Sequence, residues 1–220
     1  MKFSVAENNP IAARWRDLLL AEHLALQTLA AAGVVTAASR VVDVGVQRFL
    51  ELVRFDRVGA LGRRALLSLA ALDGEFVGNQ TAPWPVVTAE LARQKVITAQ
   101  AHAGATLLYA FGTLIGNSDM HAGNLSFVSD QGRPYALSPA YDMLPMAFSP
   151  TAGGVVMDTV SSSHLHPAVD GATWRVAHGL AQAYLDLLRS DTRFSAAFQP
   201  CMEALHAHLA GASQKIGRLA

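Results

Sequence analysis

The sequence predicts an α+β fold in which a small amino-terminal part, built from one helix and one β-hairpin, leads into a mostly helical remainder. Three observations predict it. Apolar residues recur at helical spacing over residues 13–32, two β-rich runs flank Gly45, and from Leu66 onward the apolar segments have mostly helical spacing.

The elements follow in order. Residues 2–5 read as a very short strand, which "ENNP" at 7–10 ends. The helix over 13–32 carries Trp15, Leu18, Leu19, Ala25, Leu26 and Leu29 at helical spacing and stops at Gly33. "SRVVDV" and "QRFLELVRF" form a hairpin over 39–55. Helices are expected over 66–72, 87–99 and 101–116, with "APWP" at 82–85 as the clearest break. "LSFV" and "PYALSP" bracket "SDQGR" as a second hairpin. Residues 149–171 are rich in Gly, Ser and Pro and read as a long surface loop, and helices over 172–190 and 194–210 close the chain.

Composition removes several function classes. With 51% hydrophobic and 15% charged residues the chain can bury a core and is not disordered. Seventeen Lys and Arg balance seventeen Asp and Glu, so no overall field draws it to nucleic acid or an anionic membrane surface, and direct nucleic-acid binding is not expected. The single Cys201 makes no intramolecular disulfide, and "MKFSVAENNP" lacks the apolar centre of a signal peptide, so a reducing cytoplasm is the expected compartment. Residues 101–116 contain no Asp, Glu, Lys or Arg, but they fall short of the roughly twenty residues that a membrane span needs. They read as a buried helix.

That helix ends in "GNSDMHAGN", which places Asn117, Asp119, His121 and Asn124 within eight residues. The hairpin that follows sends the chain out and back, so "SPAYDML" returns near its start and brings Asp142 beside Asn124. Phosphoryl transfer needs a carboxylate to orient or deprotonate the attacking hydroxyl, and hard oxygen ligands for magnesium. Asp119 suits the first task, and Asn124 with Asp142 the second. An aspartate, an asparagine five residues on and an aspartate after a hairpin resemble the order of parts in protein kinases. Glu22 adds a second sign, because it lies on the apolar stripe of its helix, where a carboxylate is costly without a partner. Lys2, on the preceding strand, is the obvious partner, and a strand lysine paired with a helix glutamate is how kinases position phosphates.

Together "KF" at 2–3, "LLLAEHLALQTLAAAG" at 18–33, "RFDR" at 54–57, "IGNSDMHAGNLSF" at 115–127 and "LSPAYDML" at 137–144 resemble the HipA family of serine/threonine kinases, toxins of bacterial toxin–antitoxin pairs. The resemblance covers roughly residues 1–150. It implies a kinase-like fold with a remnant amino lobe at 1–57 and a helical carboxyl lobe at 58–220. It also implies ATP and Mg²⁺ as cofactors, Asp119 as catalytic residue, and Asn124 and Asp142 as metal ligands. Lys2 would contact the nucleotide phosphates, with Glu22 as its anchor. The strand end from Val53 to Phe55 would be the adenine hinge. His121 is expected to shape its loop rather than react. A protein substrate and an antitoxin partner or separate amino-terminal subunit are the implied partners.

Two departures from the family pattern stand out. The tripeptide at Asp142 is "DML" rather than "DFG". The family also carries a region before the lysine strand, with a phosphate-covering loop and a self-phosphorylated serine, whereas this chain begins at the lysine strand. The expectation is a truncated product, a fragment or half of a split kinase, which would bind ATP weakly. Two other readings keep parts of this picture: a small-molecule phosphotransferase, or a module that binds nucleotide or a partner without turnover. The "HLH" at 164–166 and "HAH" at 206–208 are read as surface histidines, Arg54, Arg57, Arg63 and Arg64 as a solvated basic face, and Trp15, Trp84 and Trp174 as core or interface anchors.

Overall fold

A computed structural model of the chain describes residues 1–129, 131–162 and 164–219; Asp130, in the turn of the second expected hairpin, and Ser163, in the expected long loop, lie outside the described residues. The amino-terminal part is a three-stranded antiparallel sheet of order β1 (Lys2–Phe3), β3 (Gln47–Leu52), β2 (Ser39–Val44), with helix α1 (Pro10–Ala31) packed against it. Helix α1 starts earlier than its apolar stripe because Asn9 caps it, accepting the Ala12 N–H, and Pro10 fits the first turn. The expected strand over 2–5 closes at Phe3, where its pairing with β3 ends. Between β1 and α1, Ser4 still bonds Arg48 through its backbone N–H and its hydroxyl.

A small ladder follows, β4 (Arg57–Val58) with β5 (Gly62–Arg63), and then β6 (Ala65–Ser68). The sequence reading placed a helix over 66–72; instead Ala65–Ser68 pairs antiparallel with β7 (Ser126–Ser129), and Ser68 caps α2 (Leu69–Phe76). The run "ALLSLAAL" carries both periods, and the neighbouring strand decides between them. The helices expected over 87–99 and 101–116 are both present, with their boundaries shifted towards the amino terminus. Helix α3 (Trp84–Arg93) begins at the proline break, and Lys95 adopts a left-handed conformation (φ 57°) that ends it before α4 (Ala99–Leu114) starts at the Thr98 cap. Strand β8 (Ala136–Leu137) completes the sheet β6-β7-β8. The described residues of 149–170 form neither helix nor regular strand, and α5 (Gly171–Ser190) and α6 (Gln199–Ile216) close the fold.

One apolar core joins these parts, with Leu18, Leu26 and Leu29 of α1 in the same cluster as Phe111, Phe127, Trp174 and Tyr184. Trp84 and Trp174 are core residues, and Trp15 packs at its edge. Helix α1 also carries buried polar side chains, and two of them reach distant elements. Arg14 donates to the carbonyls of Phe148, Met157 and Ala197, while the Asp17 carboxylate accepts from the Ser195 N–H and hydroxyl. The exception is on α5, where the buried Tyr184 hydroxyl meets no hydrogen-bond partner among the described residues. Tyr184→Phe is therefore expected to leave the urea unfolding midpoint unchanged or slightly raised, whereas loss of a satisfied buried hydroxyl costs about 1 kcal/mol. A midpoint lowered by that amount would mean that the hydroxyl is bonded in solution.

Candidate active site

Strand register delivers the first site residue. Lys2 lies opposite the fully buried Leu50 in the β1–β3 ladder, and cross-strand partners share a face, so its side chain points toward α1. Phe3 points the other way, is exposed, and meets Phe49 with ring centroids 6.1 Å apart. On α1, Glu22 is fully buried, one turn from Leu18 and Leu26. The Lys2 ammonium donates to both oxygens of Glu22, at 2.9 and 2.7 Å, and also to Oδ1 of Asp142.

Asp142 reaches this point by backbone stitching. The Ala37 N–H donates to the Ala140 carbonyl and the Ala140 N–H to the Val35 carbonyl, both at 2.9 Å, tying the segment after β8 to the link between α1 and β2. Asp142 itself has a positive φ of 56°, a conformation costing a non-glycine residue about 1–3 kcal/mol. Such strain persists only where the surroundings over-determine it. The charges of the triangle act on one another. Burial alone would lower the Lys2 pKa, but the Glu22 and Asp142 carboxylates outweigh it and raise it. Burial pushes Glu22 up, with Lys2 as the main opposing influence.

The polar loop after α4 is held by its neighbours' backbone. Gly116, at φ 78°, ends the helix, and the Asn117 N–H closes back on the Gly112 carbonyl at 2.8 Å. Gly112 is also a close approach, because a Cβ there would sit 2.4 Å from the Met120 sulfur. The first amides of α2 donate into the loop, Leu69 to the Leu125 carbonyl and Ala70 to the Ala122 carbonyl. Trp84 Nε1 donates to the His121 carbonyl at 3.2 Å. His121 Nδ1 accepts the Gly123 N–H at 3.0 Å, a loop-shaping bond, and its Nε2 lies 4.0 Å from Asp119 Oδ1. The Asp119 carboxylate is 52% exposed at the loop surface.

Asn124 Nδ2 donates to the Asp119 backbone carbonyl at 2.9 Å. The neighbours of Asn124 and Asp142 are tied as well, since the Tyr141 hydroxyl bonds Ser126 Oγ at 2.7 Å and donates to the Gly123 carbonyl at 3.3 Å. Sequence reasoning treated Asn117 only as one of the loop's polar residues, yet it spans the site. Its Oδ1 accepts the Asp119 N–H at 3.0 Å, and its Nδ2 lies 3.5 Å from the Asp142 carbonyl. Its burial, in a loop of otherwise wetter neighbours, is the feature that a sequence does not display. At the expected hinge, the Val53 N–H donates to the Ala38 carbonyl at 2.8 Å and is thereby engaged. The Phe55 ring rests 5.8 Å from that of Tyr141, next to Asp142.

The remaining candidates lie elsewhere. Asp56 pairs with Arg54 and more distantly with Arg57, on an exposed surface. Cys201 is buried, and burial pushes its thiol up to about 11. Among the described residues no helix is long and apolar enough to cross a membrane.

The Lys2 and Glu22 pairing carries a stability prediction. Lys2→Met leaves the Glu22 carboxylate buried without its cation and should lower the unfolding free energy by about 1–3 kcal/mol, a range kept low by the partial exposure of the ammonium. Adding Glu22→Leu should restore most of that loss. Equal losses in the single and double variants, read by urea unfolding, would mean that Lys2 does not neutralise Glu22.

Comparison with known proteins places this arrangement. The family model described as "HipA-like C-terminal domain" matches residues 1–209. Toxin YjjJ of Escherichia coli (strain K12) is 37% identical over all 220 residues, which cover 49% of that relative. HipA, in a complex of a Shewanella oneidensis toxin–antitoxin system with HipB and operator DNA, superposes with a TM-score of 0.51 at 16% identity, over 90% of this chain and 47% of HipA. The Helicobacter pylori proinflammatory kinase CtkA superposes with a TM-score of 0.59 at 11% identity, over 91% of this chain and 82% of CtkA. The fold is thus kinase-like, and the chain spans about half the length of the curated relative it matches.

Proposed function

The chain belongs to the HipA-like C-terminal domain family, and on that footing we propose that it is the core of a serine/threonine protein kinase that transfers the γ-phosphate of ATP to a protein hydroxyl. The observation that carries the reading is the Lys2 ammonium held between Glu22 and Asp142. In this reading Lys2 binds the nucleotide phosphates and Glu22 keeps it aimed. The division at residue 57 is the cleft in which the nucleotide lies. The adenine edge is met by the Val53 carbonyl and the Phe55 N–H, because the Val53 N–H already serves Ala38.

The residues present fit a magnesium ion. Asn124 uses its Nδ2 on the Asp119 carbonyl, which leaves Oδ1 as its metal-facing atom, and the second carboxylate oxygen of Asp142 adds an anionic ligand. Both are hard oxygen donors of the kind Mg²⁺ takes. Bound there, the ion would offset charge on the phosphates. Asp119 orients the acceptor hydroxyl and takes its proton. The hydroxyl oxygen forms its bond to the γ-phosphorus as the bond from phosphorus to the β–γ bridging oxygen breaks, and ADP leaves with those electrons. Asn117 positions both carboxylate-bearing segments, since it bonds the Asp119 N–H and approaches the Asp142 carbonyl.

The name of the Escherichia coli relative and the HipB-bound state of the Shewanella oneidensis one support two further parts of the proposal, a role as toxin and an antitoxin-type protein partner. A cytoplasmic location, where ATP is plentiful, completes the proposal. Calorimetry on the purified chain should show magnesium-dependent ATP binding that Asp142→Asn removes. Asparagine tolerates the positive φ, so that change reads charge rather than strain. Asp119→Asn should keep nucleotide binding while phosphate transfer falls by about 10²–10⁴. Transfer that survives this substitution would sink the mechanism, and binding without any transfer in the unaltered chain would select the non-catalytic reading instead.

A further inference from the structure

An open groove of about 540 Å³ begins at Asp119, on the exposed side of the catalytic loop. Its wall is a connected aromatic series. The His166 ring, from the long loop before α5, meets Tyr109 edge-on at 6.5 Å; Tyr109 meets Trp84 edge-on at 6.4 Å; and the Trp84 indole bonds the loop at the His121 carbonyl. The exposed turn at Gln80 and Thr81 also lines the groove. Trp84 is 2% exposed and backs the wall, whereas Tyr109 and His166 are half-buried and face the opening. Among the described residues lining the groove there is no Lys or Arg, and Asp119 supplies the only carboxylate.

Resting on the kinase reading above, we infer that this groove seats the acceptor: an extended polypeptide segment of neutral or basic character. Its Ser or Thr hydroxyl lies at Asp119, and a flanking side chain lies against Tyr109 and His166. The charge pattern sets the specificity. An acidic flanking residue would meet the Asp119 carboxylate with no Lys or Arg among the described lining residues to offset it, and like charges brought together reject a partner more strongly than a neutral contact attracts one. A lysine or arginine flank would lay its aliphatic stem along the aromatic wall and bring its charge toward Asp119. Tyr109 and His166 are thus specificity-determining residues. The electrostatic choice resides in the absence of a Lys or Arg at the Gln80 turn.

The test compares Ser-containing peptides flanked by Arg, Ala or Glu. Two readouts run in parallel: labelled phosphate transfer from Mg-ATP, and fluorescence anisotropy of the labelled peptides with the purified chain. The Arg- and Ala-flanked peptides should exceed the Glu-flanked one by at least about tenfold in both. Gln80→Lys should narrow or reverse that ratio, and His166→Ala should raise KM for the preferred peptide several-fold with kcat nearly held. Transfer with a flat or acidic preference, or a preference that neither variant moves, overturns the groove assignment and leaves the kinase reading standing. Ranked binding that responds to both variants, without transfer, upholds the groove and removes the kinase reading.

Discussion

A carboxylate enclosed by apolar side chains is tolerable only with a cation at contact distance, and Glu22 is such a carboxylate. Its requirement organises much of the molecule. It fixes the register of β1 on β3, because only the residue opposite Leu50 faces α1, and it makes that residue a lysine. It fixes the position of the segment after β8 as well, because the same ammonium bonds Asp142. Buried ion pairs replaced by apolar side chains of similar volume often cost a fold nothing. The ion pair is therefore better understood as a device for holding a charge in place than as a source of stability.

The loop that carries Asp119 is set by a different economy. Its side chains make few of the bonds that hold it; the amides of α2, the Trp84 indole and the turn at Gly116 do most of that work through its backbone carbonyls and amides. The functional side chains are thus released from structural duty. Asn117, His121 and Asn124 are the exceptions, the first two bonded to a nearby amide and the third to the Asp119 carbonyl. The site rests on two independent supports, one electrostatic and one made of backbone hydrogen bonds, and they meet where Asn117 approaches the Asp142 carbonyl.

How much of this was legible in the sequence differs by element. The long helix and the first hairpin were readable because apolar residues recur at their periods and Gly33 and Gly45 mark their turns, although the Asn9 cap that starts the helix early was not read. The pairing of Lys2 with Glu22 was readable for a physical reason, since a charge on an apolar stripe demands a partner. Strand β6 was not readable, because an apolar run around one serine satisfies either period until β7 is beside it. The break between α3 and α4 was read, but several residues too late, because it rests on a left-handed Lys95, a conformation that the residue type does not advertise. The buried role of Asn117 and the engagement of the Val53 amide depend on contacts between segments far apart in the chain.

Lys2 sits on a strand of two residues, held to one side of β3 by backbone pairing at Leu50 and Phe49 and by Ser4 beyond them. So short an attachment opens far more often than the core does, and its amides should be among the first to exchange with solvent deuterium. Each opening withdraws the cation from both carboxylates at once. If Lys2 grips an anion, the apparent affinity for it would scale with the fraction of time that the strand is docked. A contact that lengthened or covered this edge would tighten such a grip without touching the anion.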